Sequence, residues 1–327
     1  MILYVTEPGT TIKKKLGRYI IEKDNSVISE VPIETLDSVV MYTGTNITNP
    51  CVNSFLEKGI DVIYTDSFGK YRGRLLNSDL YNVERQFEQF SLYNDEDFSL
   101  SMAKQTIVAK INNSKVILQK FNRNDGILKK LKYFKKFARN AKSIDELRGI
   151  EGIAAKEYFS GISEILPKEF EFTKRINYKA KDKFNVLLNF GYSLLRNDIH
   201  NMVISKGLNP YIGFFHKIRN GHDALVSDFM EEFRACVVDK LILNIISKYK
   251  DYEEYFSEGQ FDNLFISKDF KKLIMNEYEK IMQKSQSYSE YNEQKISMRY
   301  SIFKQVEGFI GALSKKDYSF YKPFKIR

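Results

Sequence analysis

Val62-Ile63-Tyr64-Thr65-Asp66-Ser67-Phe68-Gly69-Lys70-Tyr71-Arg72-Gly73-Arg74 is the stretch where one kind of sequence gives way to another. Before it, Ile2 to Val5, Arg18 to Glu22, Val27 to Val31 and Ser38 to Tyr42 are short β-branched or aromatic runs between turn residues, and Val62 to Thr65 continues the series. Such runs read as strands, and Asp24-Asn25 marks a hairpin turn. A short helix is expected from Pro50 to Lys58, with Asn49 as its cap, Pro50 in its first turn and Gly59 past its end. Ser67-Phe68-Gly69-Lys70 is a further turn, leading into Tyr71-Arg72-Gly73-Arg74. From about residue 79 the apolar period becomes helical and stays so for nearly all of the remaining chain. The expected fold class is therefore α+β: a β-rich N-terminal domain over residues 1–78, a linker over 79–95, and a larger all-α domain over 96–327.

The chain's 327 residues exceed the usual size of one domain, and two domains are the better expectation. Hydrophobic residues at 43% and charged residues at 28% suit a globular protein with a real core, so disorder as the main state is excluded. Cys51 and Cys236 are too few and too far apart for a disulfide framework or a Cys-based zinc site, and a reducing cytoplasm fits best. No stretch approaches the ~18 consecutive apolar residues of a membrane span, and the opening Met-Ile-Leu-Tyr-Val reads as a strand, not a signal peptide. There is no HExxH, P-loop or GxGxxG, which removes zincins, nucleotide-driven motors and dinucleotide enzymes from consideration.

The formal charge is +9, and its distribution is uneven. Twelve basic residues and one acidic residue lie between Lys104 and Lys142, so this segment carries +11 and the rest of the chain −2. Among them are Lys132, Lys135, Lys136 and Arg139, interleaved with Phe121, Tyr133, Phe134 and Phe137. That pattern is expected where helices lie along a phosphate backbone. A solvated helix face beside an aromatic core stripe accounts for the charge equally well.

Ser143-Ile144-Asp145-Glu146 has the spacing of a capping box and predicts a helix start. On that helix Leu147, Glu151, Ala154, Ala155 and Tyr158 share one line, which sets Glu151 within the apolar stripe. A carboxylate there needs a cation, either a metal or an ion-pair partner such as Arg148 or a distant lysine. His216 follows the apolar run Tyr211-Ile212-Gly213-Phe214-Phe215, where a lone histidine is more often a hydrogen-bonded core residue than a ligand. The next helix, expected from about Ala224 to Ile246, carries Asp228 and Glu231 on the line Ala224, Asp228, Glu231, Ala235, Val238, Ile242. Its other stripe, Val226, Phe229, Met230, Phe233, Val237 and Leu241, is already a complete core face, so the helix must be covered on two sides. Three acids and a histidine at otherwise buried positions repel one another unless a cation joins them. Oxygen ligands point to Mg²⁺, and the imidazole shifts the preference towards Mn²⁺ and on ligand chemistry alone still permits Zn²⁺. His200 is expected to be exposed at a polar helix end, and His222 in a surface turn, the alternative for His222 being a place at the site mouth beside His216.

The chain resembles the Cas1 family of CRISPR-associated endonucleases and integrases. The resemblance rests on Leu3-Tyr4-Val5-Thr6-Glu7-Pro8-Gly9, Val31 to Val39 and Phe68 to Arg74 in the β part. It continues through Arg148-Gly149-Ile150-Glu151-Gly152, Asn185 to Leu195, Gly207 to Pro210 with Gly213-Phe214-Phe215-His216, Asp228 to Arg234 and Tyr321-Lys322-Pro323-Phe324. These blocks stand in family order along almost the whole chain. The resemblance implies a homodimer paired through the N-terminal domains and a helical catalytic domain with a metal, Mg²⁺ or Mn²⁺, on Glu151, His216 and Glu231. Asp228 would lie beside the metal or assist it. The implied activity is metal-dependent cleavage of DNA and joining of the 3′-hydroxyl ends of short DNA fragments to a repeat array, together with a small ferredoxin-like partner, Cas2. Arg72, Arg74, Lys132, Lys135, Lys136, Arg139, Arg219 and Arg234 are the expected DNA contacts.

One departure stands out. Where the family commonly has a Gly-Arg-x-Ser-Leu-like segment, this chain reads Gly221-His222-Asp223-Ala224-Leu225, which either weakens a phosphate contact or leaves it to Arg219. Two rival functions fit the same residues: a metal nuclease acting on branched or single-stranded DNA, and a DNA-binding scaffold whose charged cluster is a set of structural ion pairs.

Overall fold

A computed structural model describes residues 1–67, 69, 71–75, 82–121, 124–177, 180–249, 253–258, 264–286 and 295–327. The chain divides into two compact units, Met1–Tyr81 and Asn82–Arg327.

In the first unit, strands β1 (Ile2–Val5), β5 (Ser38–Tyr42), β7 (Asp61–Thr65) and β8 (Tyr71–Leu75) form one sheet in that order. The first three run parallel and β8 is antiparallel to β7. Central β5, Ser-Val-Val-Met-Tyr, is buried along its whole length, as a parallel strand covered on both faces should be. The second sheet has the order β4 (Ser26–Pro32), β3 (Arg18–Lys23), β2 (Thr11–Lys15), β6 (Asn46–Ile47). Asp24 and Asn25, at φ of 50° and 60°, make the tight turn joining β3 to β4. Strand β2 lay outside the sequence expectation because Lys13-Lys14-Lys15 hides its alternation, and Ile12 alone among its residues is buried. Helix α1 (Asn49–Lys58) starts one residue earlier than expected, so Thr48 and not Asn49 precedes it. Gly59 ends it at φ 66°. Ile12, Tyr19, Val39, Cys51, Phe55 and Val62 fill the core of this unit.

Arg74 was expected to meet DNA. Its side chain is only 6% exposed and pairs with Asp61. Its Nε and Nη1 have no hydrogen-bond partner among the described residues, but both are buried, so neither is presented to a phosphate. Arg72 is 65% exposed and pairs with Asp66 at 3.3 Å.

The second unit is helical: α2 (Val83–Tyr93), α3 (Glu96–Phe121), α4 (Asp125–Asn140), α5 (Ile144–Ser163), α6 (Lys183–Ser205), α7 (Ala224–Phe233), α8 (Lys240–Lys248), α9 (Lys268–Gln283) and α10 (Met298–Lys315), with two short two-stranded pairs. The stretch expected as a linker is structured from Asn82 onward. Gln89 of α2 is fully buried, donates to the carbonyls of Asn209 and Ile212 at 2.9 and 2.7 Å, and accepts the Asn209 amide at 2.9 Å. Long α3 packs against α4, α5 and α7, which gathers around one axis every helix that carries a candidate site residue.

Two further expectations need correction. His200 is buried, not exposed, because α6 does not end there but runs on to Ser205. Its neighbour Asp198 accepts from Tyr278 and Arg299 at 2.8 and 3.0 Å, so this polar stretch of α6 is covered by α9 and α10. The helix expected over Ala224 to Ile246 is also not uniform. Residues Arg234–Asp239 form a π-helical turn between α7 and α8. The wider turn breaks the 3.6-residue line drawn through Ala235 and Val238, and such bulges favour functional sites.

Candidate metal centre

Helix α7 carries Asp228 and Glu231 one turn apart, 6% and 4% exposed. Asp228 is consumed by the preceding loop. Its Oδ2 accepts the amides of Phe214 and Phe215 at 2.6 and 3.0 Å, while Oδ1 accepts the His216 amide at 3.0 Å and lies 2.6 Å from His216 Nδ1. A carboxylate in this position keeps the imidazole proton on Nδ1 and leaves Nε2 as the open donor atom for a metal. Nε2 faces Glu231 Oε1 at 3.8 Å. Burial opposes a charge on the ring, yet the bond to Asp228 and the charges of Asp228 and Glu231 raise the pKa of His216 above its ordinary value. Gly213 makes this loop possible: a Cβ there would stand 2.6 Å from Asp228 Oδ2 and 2.7 Å from the Ala224 carbonyl carbon.

Helix α5 brings Glu151. Ser143 caps it, accepting the Glu146 amide at 3.2 Å, while the Glu146 carboxylate takes the Lys142 amide at 2.7 Å. Of the two ion-pair partners anticipated for Glu151, the distant lysine is the one found. Lys110 of α3 donates to Glu151 Oε1 and lies 2.5 Å from Glu231 Oε2. One ammonium thus bridges carboxylates from two helices. Arg148 instead donates to Asp145 at 2.7 Å and to the Phe215 carbonyl at 2.6 Å, tying α5 to the histidine loop. Arg234, at the start of the π turn, donates through Nε to Glu231 Oε1 at 3.0 Å, with its guanidinium 4.7 Å above the Tyr192 ring. Burial pushes the Glu231 carboxyl up, but Arg234, Lys110 and His216 outweigh it and hold it well below the usual carboxylate range.

Among the described residues no three His, Cys, Asp or Glu side chains are placed to hold an ion as they stand. Lys110 stands between the two glutamates, so a divalent ion requires it to swing away. The donor set otherwise fits. It comprises two carboxylates already gathered round a cation and an imidazole nitrogen oriented by its neighbour. Beside them lies a cavity of about 50 Å³ lined by Lys110, Leu131, Glu151, Tyr158, Glu231 and Asp239. It is far below the ~300 Å³ of a small-molecule pocket, so only the reacting group of a larger substrate would enter.

The other expected site residues are scattered. Lys132, Lys136 and Arg139 are exposed on α4, whereas Lys135 is half-buried and donates to Asn112 Oδ1 at 3.1 Å. Arg219 is exposed, and Arg234 is turned inward onto Glu231. His222, expected in a surface turn, is half-buried with its ring centroid 5.8 Å from that of His216. Sequence reasoning missed Lys110, although a lysine among Ile107, Val108, Ala109 and Ile111 carries the same signal that exposed Glu151: a charge on an apolar stripe. It also missed Glu232, fully buried beside Glu231, which accepts from Tyr321 Oη at 2.5 Å and from the Phe324 amide at 2.6 Å. Burial pushes the Glu232 carboxyl up to about 8. With Asn113, whose Nδ2 donates to the Glu232 and Phe324 carbonyls at 2.8 Å each, it fastens the C-terminal segment under α7.

The profile of the family described as CRISPR associated protein Cas1 matches residues 3–280. The chain is 27% identical over 312 residues to a CRISPR-associated endonuclease Cas1 of Mycobacterium tuberculosis, covering 94% of this chain and 92% of that protein. It is also 27% identical over 331 residues to a Cas1 endonuclease of Francisella tularensis subsp. novicida, covering 98% of each. Among solved structures, a Cas1 protein from Thermotoga maritima superposes with a TM-score of 0.82 at 24% identity, over 96% of this chain and 97% of that one. A casposase bound to integration product gives 0.85 at 24% identity, over 99% and 94%. At that identity the structural matches speak for the fold, in which strand-rich and helical parts follow one another as here. Taken with the family match along most of its length, they leave one conclusion: this chain belongs to the Cas1 family of CRISPR-associated proteins.

Proposed function

We propose that this member of the Cas1 endonuclease family is a metal-dependent DNA-joining enzyme, with Glu151, His216 and Glu231 as ligands of Mg²⁺ or Mn²⁺. The observation that carries the reading is the division of labour on α7. Asp228 spends both oxygens on the Phe214–His216 loop, while Glu231 shares a cation with Glu151 and faces the free ring nitrogen of His216. Bound there, the ion would supply electrostatic stabilisation of the attacked phosphodiester and of its leaving oxygen. His216 is held by Asp228 with Nε2 turned to the ligand side, and Arg234 keeps Glu231 ionised. In the proposed reaction the 3′-hydroxyl of a DNA fragment attacks a repeat phosphodiester. One P–O bond forms as another breaks, and the displaced strand leaves with a hydroxyl. Water as the nucleophile gives DNA cleavage at the same site. Lys110 must release the carboxylates for the ion and then remains a cation beside the phosphate.

Related proteins support the choice of partners. Similar chains occur in a structure described as a Cas6-RT-Cas1--Cas2 complex and in a casposase bound to integration product, and Cas2 and DNA are proposed as partners on that basis, with a homodimer as the working unit. No described helix is long and apolar enough to cross a membrane. The test is incubation with 3′-hydroxyl or 3′-blocked fragments and a supercoiled repeat plasmid, with Mn²⁺, Mg²⁺ or chelator, and with and without Cas2. Joined product that needs both the free hydroxyl and the metal is expected. Metal-dependent cleavage without joining would favour the nuclease alternative.

A second reading has its own observation. Lys110 bridges both glutamates and Arg234 pairs with Glu231, so two cations balance the two carboxylates without any metal, as a structural ion-pair cluster in a DNA-binding scaffold would require. Calorimetric titration with Mn²⁺ separates the two, since a scaffold binds no stoichiometric ion.

A further inference from the structure

The outer face of α4 is unusual for a helix packed on one side. Ile127, Leu131 and Ala138 are buried and face inward. The solvent side carries Lys129, Lys132, Tyr133, Lys136 and Phe137, all exposed, at the i, i+3, i+4, i+7, i+8 spacing of one stripe. Tyr133 is 57% and Phe137 41% exposed. Their ring centroids lie 4.2 Å apart at an interplanar angle of 42°, so they form a pair, open to solvent, with the lysines along one edge. None of these three lysines forms an ion pair among the described residues, whereas Lys130 on the other edge is held by Glu157 at 3.0 Å.

We propose that Tyr133 and Phe137, flanked by Lys129, Lys132 and Lys136, form a stacking platform for the unpaired bases of single-stranded DNA. The charge decides against a protein partner, because the cores of protein interfaces are depleted in lysine and burying three uncompensated ammonium groups is costly. A phosphate backbone neutralises them and releases its counterions. The rings decide between duplex and single strand. In a duplex the base faces are already stacked on each other, and only an unpaired base has a face to offer an aromatic ring. Helix α4 also closes the cavity beside Glu151 and Glu231 with Leu131, on its inner side. The platform is therefore about one helix diameter, ~10 Å, from the cavity wall. That places it a few nucleotides from a phosphate reacting there.

This inference rests on the proposed DNA-processing function for its substrate, and its test is independent of the chemistry. Binding of a labelled oligothymidylate, of the same strand carrying abasic residues, and of a duplex is measured by anisotropy with the full chain in chelator over a range of salt. Tyr133→Ala/Phe137→Ala should weaken binding of the oligothymidylate about tenfold. It should leave the abasic strand, the duplex and the salt dependence unchanged. The exchange Tyr133→Phe/Phe137→Tyr, which keeps two rings, should bind as the unaltered protein does. Equal binding of the oligothymidylate by the alanine variant overturns the platform, as does an equal loss on all three ligands. A changed oligomeric state with unchanged DNA binding also overturns it and makes this face a protein contact. If Lys129→Ala/Lys132→Ala/Lys136→Ala weakens every ligand while the aromatic variant does nothing, the platform falls and the DNA-processing reading stands. Absence of any DNA binding by the unaltered protein would remove both.

Discussion

Asp228 Oδ1 accepts two hydrogens from a single residue, the backbone amide of His216 at 3.0 Å and the ring Nδ1–H at 2.6 Å. Position and tautomer of the imidazole are thus set by one carboxylate, and the same carboxylate is spent by setting them. Asp228 thus orients His216, which leaves Glu231 as the α7 acid assigned to the proposed metal.

Replacing the two acids should therefore have different consequences. Glu231→Ala is expected to be inactive in strand joining at any metal concentration. Asp228→Ala should lose ~10- to 100-fold, as loss of a group that orients a metal-bound histidine typically does, and should recover in part with excess Mn²⁺. Initial rates over a Mn²⁺ titration measure both. A dead Asp228→Ala beside a rescuable Glu231→Ala would exchange the two roles.

Lys110 makes a prediction about stability. It bridges Glu151 and Glu231, so Lys110→Met leaves Glu151 without its ammonium partner and Glu231 with Arg234 alone, a change costing on the order of 3 kcal/mol. The variant should melt earlier than the unaltered protein in chelator, and Mn²⁺ should raise its Tm by the larger amount, because the ion no longer competes with an ammonium. Scanning calorimetry with and without Mn²⁺ checks this. Equal metal-induced shifts in both proteins would mean that the ion, if bound, does not replace Lys110.

The basic face of α4 has a separate signature. Lys132, Lys136 and Arg139 are exposed, and their neutralisation should weaken binding to all DNA sequences alike. It should also lower the slope of log K against log salt by about one for each phosphate that the protein no longer neutralises. Lys135, engaged with Asn112, should contribute least of the four basic residues expected there. A slope that stays constant in the combined variant would make the face a solvated surface.

Much of this was legible because buried charge is rare. Glu151, Asp228 and Glu231 each interrupt an apolar line, and periodicity alone marks them. What periodicity could not give is which partner satisfies each charge, since Lys110 and Glu151 are 41 residues apart and meet only through the packing of α3 on α5. The π turn at Arg234–Asp239 escaped for a related reason: one extra residue per turn leaves the composition of the helix unchanged and shifts only its phase. His200 was misjudged because Arg196 to His200 looks like a helix end by polarity, while Tyr278 and Arg299 from distant helices cover it. The pairing of Arg74 with Asp61, on a neighbouring strand, was hidden in the same way.

Asp239, at the end of the π turn, yields the last prediction. Tyr158 and Tyr192 both donate to it, at 2.9 and 2.5 Å, and it is 2% exposed. Burial raises its carboxyl to about 6 against the partial relief of the two tyrosines, Arg175 and Arg234. The folded pKa thus exceeds the ordinary 3.8, and the folded protein holds the proton more tightly than the unfolded chain between those two values. The stability this group contributes is complete below about pH 4 and is lost as pH rises through about 6. Asp239→Asn cannot ionise, yet its oxygen can accept from one tyrosine while its amide donates to the other hydroxyl. The free-energy difference between variant and unaltered protein, measured by urea unfolding, should therefore move in favour of the variant from pH 4 to pH 6 and stay level above about 7. Subtracting one protein from the other removes the titration of every other carboxylate. A difference that is flat across this range would mean that Asp239 titrates in the folded protein as it does in the unfolded chain, with the two tyrosines and the nearby guanidinium groups fully compensating its burial.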